Sequence, residues 1–317
     1  MRYIKEAIIH SRHELQAVGS VCVTIWAFVG ALLDKQILWL LLAVMFAIFV
    51  VVSCGIILVR YISVKRGFIT VEVFHNHRVT LMRNDFQVNA DYLLHHLDEQ
   101  KMKELVMVMG IDITADMALN TRRGIAHDML KYLNSNYTEH GKLPQDVINE
   151  QISDYFNSKS PSGERCKLDF GECIEVELEL TPKNDPAGKN LPCNLLMVVN
   201  SKKKDYNKNN HESIDSDGKS NLIIPTIYNH IKSTNKYTSM LIGIMGSNGL
   251  AVPYLPEFSQ IINQLAWLGT EAPDVLFYDV YLSIREQDYF DHWKVSLSQL
   301  EAYLHACADY YPPQTEK

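Results

Sequence analysis

The stretch SMLIGIMGSNGLAVPY, Ser239–Tyr254, joins an apolar run to a glycine-rich segment. The apolar part predicts a buried strand, and Gly246-Ser-Asn-Gly249 followed by Pro253 predicts a loop. A glycine backbone allows a ligand to approach closely, and successive N–H groups in such a loop can hold an anion. Two interpretations stay open at this point: a simple turn, and a backbone cradle for a phosphate group.

The rest of the chain beyond residue 66 alternates between strand and helix patterns. Leu105–Asp112 and Cys193–Lys202 are continuous apolar runs typical of buried central strands, and Gly171–Leu180 alternates with a period of two. Helical periodicity occupies Ile125–Leu133 and Pro144–Phe156. About seven strands with interleaved helices predict an α/β domain with a mixed sheet flanked by helices.

A second strand-to-loop junction carries positive charge. Asp112 ends a buried run, and the polar stretch that follows leads to Arg122-Arg123-Gly124, directly before a helix. Guanidinium groups match phosphate oxygens, and a helix N-terminus favours anions. Ligands of open α/β sheets bind beyond the carboxyl ends of the strands. Asp112–Gly124 and Gly246–Tyr254 are therefore candidate ligand loops, although an arginine pair is also a common solvated surface feature.

Charge divides the chain into two parts. The net charge is −7, and residues 1–66 carry +4, which leaves −11 for residues 67–317. A part that acidic repels polyanions, so we expect no nucleic-acid partner. The six cysteines are scattered without a C-x-x-C pair, and no histidine or cysteine cluster has metal-ligand spacing. The sequence therefore predicts no metal and no bound cofactor.

Residues 1–66 are predicted to form a transmembrane helical hairpin. Leu15–Leu33 and Gln36–Val59 are 19 and 24 residues long and contain no charged residue. At about 1.5 Å per residue they span roughly 28 and 36 Å, close to a hydrocarbon core of about 30 Å. Basic residues flank both outer ends, so the positive-inside rule predicts that both termini are cytoplasmic.

The chain is thus predicted to have two domains. A membrane hairpin comprises residues 1–66, and a cytoplasmic ligand-binding domain comprises residues 67–317. Within the second domain, Lys202–Asn221 is polar and poor in apolar residues, which predicts a flexible surface insertion.

The order of these segments resembles a macro domain. The stretches that carry the resemblance are MGIDITADMALNTRRGIAHDML, GECIEVEL, LLMVVNSK and IGIMGSNGLAVP, in that chain order. With two N-terminal apolar helices, the chain is similar to the membrane-anchored ThsA effectors of bacterial Thoeris antiphage defence, which carry a divergent macro domain. The resemblance covers nearly the whole chain, and the architecture carries more of it than any single motif.

The resemblance implies a signal-binding effector and not an enzyme. In that family a TIR-domain enzyme makes an ADP-ribose-derived signal from NAD, and for the membrane-anchored type the implied ligand is a conjugate of ADP-ribose with histidine. Binding to the macro domain leads to a homo-oligomer and then to disruption of the lipid bilayer or growth arrest. The implied location is the bacterial inner membrane.

The resemblance also implies a set of ligand-binding residues. Asp85 matches the acid that holds the adenine amino group, and Phe86 or Tyr281 is the candidate for the ring that stacks on adenine. The first ligand loop is represented by Asp112, Asn120, Arg122, Arg123 and Gly124, and the diphosphate loop by Gly246, Ser247, Asn248, Gly249 and Leu250.

The sequence departs from hydrolytic macro domains in two ways. Asn84-Asp85 replaces the usual Gly-Asp pair, and the first loop lacks their glycine run. No Ser-His, Cys-His or H-E-x-x-H arrangement is recognisable. We therefore expect no catalytic residue. The alternatives are a membrane-tethered ADP-ribosyl hydrolase, an ADP-ribose-binding adaptor and a scaffolding membrane protein.

Overall fold

The computed structural model describes residues 4, 7–8, 11–30, 35–73, 77–112, 125–159, 168–169, 171–203, 211–213, 223–234, 236–243, 258–259, 261–264, 279–285 and 297–310. The chain divides into two compact units. One comprises Met1–Ile69 and Ser296–Glu301, and the other comprises Thr70–Val295 and Ala302–Lys317. The first division falls three residues after the boundary predicted at residue 66, and a short C-terminal segment joins the first unit.

Two long antiparallel helices dominate the first unit. They are α1 (Arg12–Gly30) and α2 (Lys35–Arg66). A Cβ placed on Gly19 would lie 3.8 Å from the ring of Phe49. Nearer the start of α1, Glu14 Oε1 accepts a 2.5 Å hydrogen bond from Arg60 Nη2. Glu14 thus lies beside Arg60, whereas the later residue Gly19 lies beside the earlier residue Phe49. The two helices are therefore antiparallel and form a hairpin.

One stretch of this helix pair is long and apolar enough to cross a membrane. Among the described residues it is Leu42–Ile62, with 21 residues, whereas the apolar part of α1 is the shorter Glu14–Phe28. Fifteen residues reach about 22 Å, which is less than a hydrocarbon core of about 30 Å. The predicted pair of spans is therefore not confirmed, and within the described ranges only the second helix has the required length and composition. Trp39, Phe46 and Val51 of α2 are 72%, 68% and 70% exposed.

The second unit is built on a sheet with helices on both faces. The strands are β1 (Phe68–Val73), β2 (His77–Arg83), β3 (Leu105–Asp112), β4 (Tyr137–Thr138), β5 (Cys173–Pro182), β6 (Leu191–Lys203), β7 (His211–Ser213), β8 (Ser239–Gly243) and β9 (Asp279–Ile284). The remaining helices are α3 (Phe86–His96), α4 (Glu99–Lys103), α5 (Ile125–Asn136), α6 (Pro144–Lys159), α7 (Ile223–Thr234) and α8 (Leu297–Tyr310), and residues 258–259 and 261–264 are also helical.

The sheet is mixed, with a parallel centre. The strands lie in the order β1-β2-β9-β8-β3-β6-β5-β4, and β7 also pairs with β6. The five strands β2, β9, β8, β3 and β6 are parallel to their neighbours in this series. β5 runs antiparallel to β6, and β4 antiparallel to β5. Parallel neighbours require long crossover connections, which explains why helices alternate with strands. The predicted α/β fold with a mixed sheet is confirmed.

The apolar runs of the sequence form the centre of the sheet. Val106–Met109 of β3 and Leu195–Val199 of β6 are at most 1% exposed, because both faces of these strands are covered. Each large apolar side chain buried in this way contributes roughly 1.5–3 kcal/mol. In β5 the apolar side chains are buried in alternation. Glu175, on the other face of β5, lies 2.8 Å from His230 Nε2 of α7.

Two short strands were not expected from the sequence. β4 has two residues, and β7 pairs with the end of β6, where Lys202 lies opposite Glu212. The predicted flexible insertion Lys202–Asn221 therefore begins inside a strand. A period-two pattern becomes recognisable over about four residues or more, so strands of two and three residues leave no usable signal.

Candidate functional site

The carboxyl ends of the parallel strands lie along one edge of the sheet. β2 ends at Arg83, β9 at Ile284, β8 at Gly243 and β3 at Asp112. The ends of β2, β9 and β8 are level with one another, since Arg83 pairs with Ile284 and Gly243 pairs with Ser283, whereas β3 extends beyond the residue level with Gly243. In open α/β sheets this is the edge where ligands bind.

The chain leaves the neighbouring strands β3 and β8 in opposite directions. After β3 it passes through α5, α6 and β5 to β6, on one side of β3. After β8 it passes through the helical residues 258–259 and 261–264 to β9, on the other side. Connections that diverge from adjacent parallel strands leave a crevice between them, and such a switch point is the usual binding position.

Both predicted ligand loops begin at this switch point. Residues 113–124 follow β3 and residues 244–257 follow β8, and both segments lie outside the described residues. They contain Asn120, Arg122, Arg123, Gly124, Gly246, Ser247, Asn248, Gly249 and Leu250. Asp112 is described as the last residue of β3, where the pairing with β6 shifts to Ser201. The roles of these residues stay predictions, and the strands that they follow are neighbours.

Gly243 brings the flanks of the two loops together. A Cβ at this position would lie 2.5 Å from Cδ1 of Ile125 and 3.4 Å from Cδ2 of Phe86. Ile125 begins α5 directly after the first loop, and Gly243 ends β8 directly before the second. The absence of a side chain at residue 243 therefore allows the start of α5 to lie close to the end of β8.

The two predicted stacking rings are not displayed at the strand ends. Phe86 is 5% exposed, and its ring lies against Gly243. Tyr281 lies inside β9, where it pairs with Thr80 and Leu241, and burial raises its pKa to about 12. The ring of Phe86 therefore packs against the end of β8. The stacking roles of Phe86 and Tyr281 stay predictions.

Asp85 is the predicted site residue whose side chain is open at this edge. It is the N-cap of α3 with an extended backbone (φ −61°, ψ 147°), yet its carboxylate makes no capping hydrogen bond. Its Oδ1 lies 3.2 Å from Nε of Arg285, and the side chains of Asp85 and Arg285 are 48% and 47% exposed. Arg285 directly follows β9. Two adjacent strand ends thus present a carboxylate and a guanidinium side by side.

A buried amide holds the backbone at this corner. Asn89 of α3 is fully buried, and its Nδ2 lies 3.2 Å from the Met82 carbonyl, 3.1 Å from the Asn84 carbonyl and 2.8 Å from Ser283 Oγ. Ser283 Oγ also donates to the Asn84 carbonyl at 3.3 Å. These bonds connect α3 with the ends of β2 and β9, so the backbone that carries Asp85 is fixed from two sides.

The other polar clusters lie away from this corner. Tyr137 donates a 2.6 Å hydrogen bond to Asp91, His95 Nε2 lies 3.1 Å from the same hydroxyl, and burial raises the pKa of Tyr137. This cluster connects the C-terminal part of α3 with β4, whereas Asp85 lies at its N-terminus. Burial also raises the pKa of Cys193 to about 12, so that thiol is protonated at neutral pH. Across the described part of the chain, no group of three His, Cys, Asp or Glu side chains could hold a metal ion.

Sequence reasoning did not single out Arg285 and Asn89. Arg285 is a charged residue directly after an apolar strand, and the shared edge of parallel strands was the one signal that pointed to it. Asn89 left no signal, because an asparagine in a helical pattern ordinarily points to solvent or to its own helix backbone. Its position between two strand ends depends on tertiary packing.

Comparisons with known proteins give likenesses of fold. No protein-family model matches the chain, and no curated protein matches it. Among solved structures, a mutant of the Oceanobacillus iheyensis macrodomain is 12% identical with a TM-score of 0.44, covering 75% of this chain and 98% of that chain. The same macrodomain with ADP is 9% identical with a TM-score of 0.41, covering 75% and 95%.

A poly(ADP-ribose) glycohydrolase is also among the similar structures. A mutant of this protein from Deinococcus radiodurans, in complex with ADP-ribose, is 11% identical with a TM-score of 0.44, covering 74% of this chain and 85% of that chain. At these identities and scores the likeness concerns the arrangement of strands and helices alone.

Proposed function

We propose that this chain is a membrane-anchored receptor for an ADP-ribose-derived signal and acts as an effector of the Thoeris type. The observation that carries the proposal is the switch point between β3 and β8, from which the chain leaves in opposite directions. The crevice expected at such a point lies between a glycine-rich loop and a loop with two arginines, Arg122 and Arg123.

The chemistry around the switch point favours a nucleoside diphosphate. Backbone N–H groups of Gly246–Gly249 and the guanidinium groups of the first loop would bind the diphosphate oxygens. At the same edge, the exposed carboxylate of Asp85 accepts hydrogen bonds, which suits the amino group of adenine. The ligand class is therefore an ADP-ribose conjugate, and the conjugate with histidine is the proposed member.

The exposed apolar helix favours a membrane anchor. Leu42–Ile62 has the length and composition of a span, and its large apolar side chains are exposed. Exposed apolar surface on this scale requires a lipid or protein covering. The proposed location is the bacterial inner membrane with both termini in the cytoplasm, where residues 1–66 would form the hairpin.

Ligand binding would act by favouring an assembled form of the protein. A ligand shifts a conformational equilibrium only by its difference in affinity between the two states. The proposed signal, supplied by a TIR-domain enzyme, would bind the homo-oligomer more tightly than the monomer. Assembled hairpins would then disturb the bilayer or arrest growth.

A binding experiment on the whole protein tests the receptor proposal. The full chain in detergent is titrated calorimetrically with ADP-ribose and with its histidine conjugate, and its unfolding temperature is measured with each ligand. A ligand at 100 times its Kd stabilises the folded state by about 2.7 kcal/mol. Absence of both heat and stabilisation with either compound would overturn the proposal.

Two variants and a product assay sharpen this test. Arg123→Glu and Gly246→Glu should each abolish binding, whereas Lys101→Glu, on the exposed helix α4, makes a comparable charge change and should bind normally. Ligand recovered intact after prolonged incubation supports a receptor. Conversion of the ligand to a hydrolysis product would instead establish the membrane-tethered ADP-ribosyl hydrolase.

A further inference from the structure

The pair formed by Asp85 and Arg285 has an unusual arrangement for a helix start. An aspartate at an N-cap ordinarily accepts a hydrogen bond from a backbone N–H of the first turn, which stabilises the helix. Here the Asp85 carboxylate makes no such bond. It lies beside the Arg285 guanidinium, with 3.2 Å between Oδ1 and Nε.

This ion pair contributes little to stability. The two side chains are 48% and 47% exposed, and water and salt screen the attraction between charges at such exposed positions. The Asp85 carboxylate therefore makes a weak surface contact in place of a capping hydrogen bond. It keeps hydrogen-bonding capacity at the surface that the helix start does not use.

The backbone beneath the pair is fixed more firmly than the pair itself. Asn89 and Ser283 both contact the Asn84 carbonyl, one residue before Asp85. Ser283 lies two residues before Arg285 on the adjacent strand. The two side chains thus start from backbone positions whose separation is set by the sheet, which is the rigid support that a recognition site needs.

The hydrogen-bonding groups that the ion pair itself does not use place an acceptor next to donors. Arg285 Nε faces Oδ1 of Asp85, which leaves Oδ2 as an acceptor and the two Nη groups of the guanidinium as donors. A 6-aminopurine presents a donor, its amino group, beside an acceptor, a ring nitrogen. A 6-oxopurine presents an acceptor at the position of that donor, so a carboxylate there repels it.

We infer that Arg285 is a specificity-determining residue of the proposed ligand site. It orients the Asp85 carboxylate toward the purine amino group and donates a hydrogen bond to the adjacent ring nitrogen. This inference rests on the proposed binding of an ADP-ribose conjugate. It assigns recognition of the base to Asp85 and Arg285, which are 200 positions apart in the chain.

The experiment compares adenine and hypoxanthine forms of one ligand. The full chain in detergent is titrated with ADP-ribose and with the analogue that carries hypoxanthine in place of adenine. The unmodified protein should prefer ADP-ribose by about a hundredfold or more, because a mismatched buried donor or acceptor is strongly penalised. Arg285→Gln should bind ADP-ribose about tenfold more weakly and lose most of the preference.

A matched control lies at the other end of the same two strands. Arg78 of β2 forms an ion pair with Asp279 of β9, with 2.7 Å between Nε and Oδ1. Arg78→Gln removes an equivalent charge from the same strand pair and should leave the affinity and the base preference unchanged. Arg285→Lys keeps the charge without the planar fork, so it should restore affinity only in part.

The outcomes separate this inference from the receptor proposal. If the unmodified chain binds neither of these compounds and does not bind the histidine conjugate, the receptor proposal fails and this inference fails with it. If the unmodified chain prefers ADP-ribose and Arg285→Gln keeps the same ratio of affinities, the receptor proposal stands and the role of Arg285 is refuted. A double-mutant cycle with Asp85→Asn should show non-additive losses, and additive losses would also refute the pairing.

Discussion

Replacing Gly243 with alanine should disturb the point where the flanks of the two predicted loops meet. The new Cβ would lie 2.5 Å from Ile125 Cδ1 and 3.4 Å from Phe86 Cδ2, so the end of the Ile125 side chain must move. Overpacking of this kind costs about 1–3 kcal/mol. The reduced entropy of the unfolded chain offsets about 0.4–1 kcal/mol of that cost.

At the midpoints of these two ranges, the expected net loss for Gly243→Ala is roughly 1 kcal/mol. This corresponds to an unfolding temperature about 2–4 °C lower for a domain of this size. Ile125→Val removes the Cδ1 atom that causes the closest contact, and alone it should cost about 0.5–1.5 kcal/mol. Combined with Gly243→Ala it should restore stability, so the two losses are not additive. Gly55→Ala is the control, since a Cβ on Gly55 meets nothing within 4 Å.

Thermal unfolding of the full chain in detergent, followed by far-UV circular dichroism, measures these effects. Calorimetric titration with ADP-ribose of the same variants then shows whether the displaced loop flanks also weaken binding, as we expect. The reasoning is refuted if Gly243→Ala unfolds at the temperature of the unmodified protein. It is equally refuted if Ile125→Val adds its full cost to that of Gly243→Ala.

Three further outcomes follow from the same structure. Burial raises the pKa of the Glu139 carboxyl above its ordinary value, so the folded state loses stability as the pH rises through the raised pKa. Glu139→Gln should therefore raise the unfolding temperature at pH 7 and leave it unchanged near pH 3. Asn89→Ala removes the hydrogen bonds that the buried Asn89 amide makes to the Met82 carbonyl, the Asn84 carbonyl and Ser283 Oγ, and should cost about 2–3 kcal/mol in chemical denaturation. In membrane fractions washed with alkaline carbonate, the full chain should stay in the pellet, whereas a chain with aspartate at both Phe46 and Val51 should be released.

The strands of the sheet were predictable because their apolar runs are continuous or strictly alternating. The run Leu105–Asp112 became β3 with the same bounds, and Gly171–Leu180 became β5 with a shift of two residues at each end. Burial on two faces selects an unbroken apolar run, and burial on one face selects alternation. Such patterns are local, so one sequence carries them without reference to any other segment.

Of the pair formed by Asp85 and Arg285, only Asp85 was predicted from the sequence. The resemblance assigned a role to Asp85, but its partner Arg285 lies on a strand that joins β2 only in the folded sheet. No local sequence pattern predicts the order of the strands, and none predicts the position of Asn89 between two strand ends. The buried state of Phe86 has the same origin, because its ring packs against Gly243 of β8, which is distant in the chain.

The pairing of β2 with β9 can form only after the long stretch of chain between them has been synthesised. Arg78 and Asp279, which bond across these strands, are 201 positions apart. At about 5–20 residues per second, a ribosome needs roughly 10–40 s to make the chain between them. Contacts so distant in the chain also close slowly during folding. The apolar helices of residues 12–66 thus leave the ribosome long before β9, so the corner that joins Asp85 to Arg285 forms well after those helices have been made.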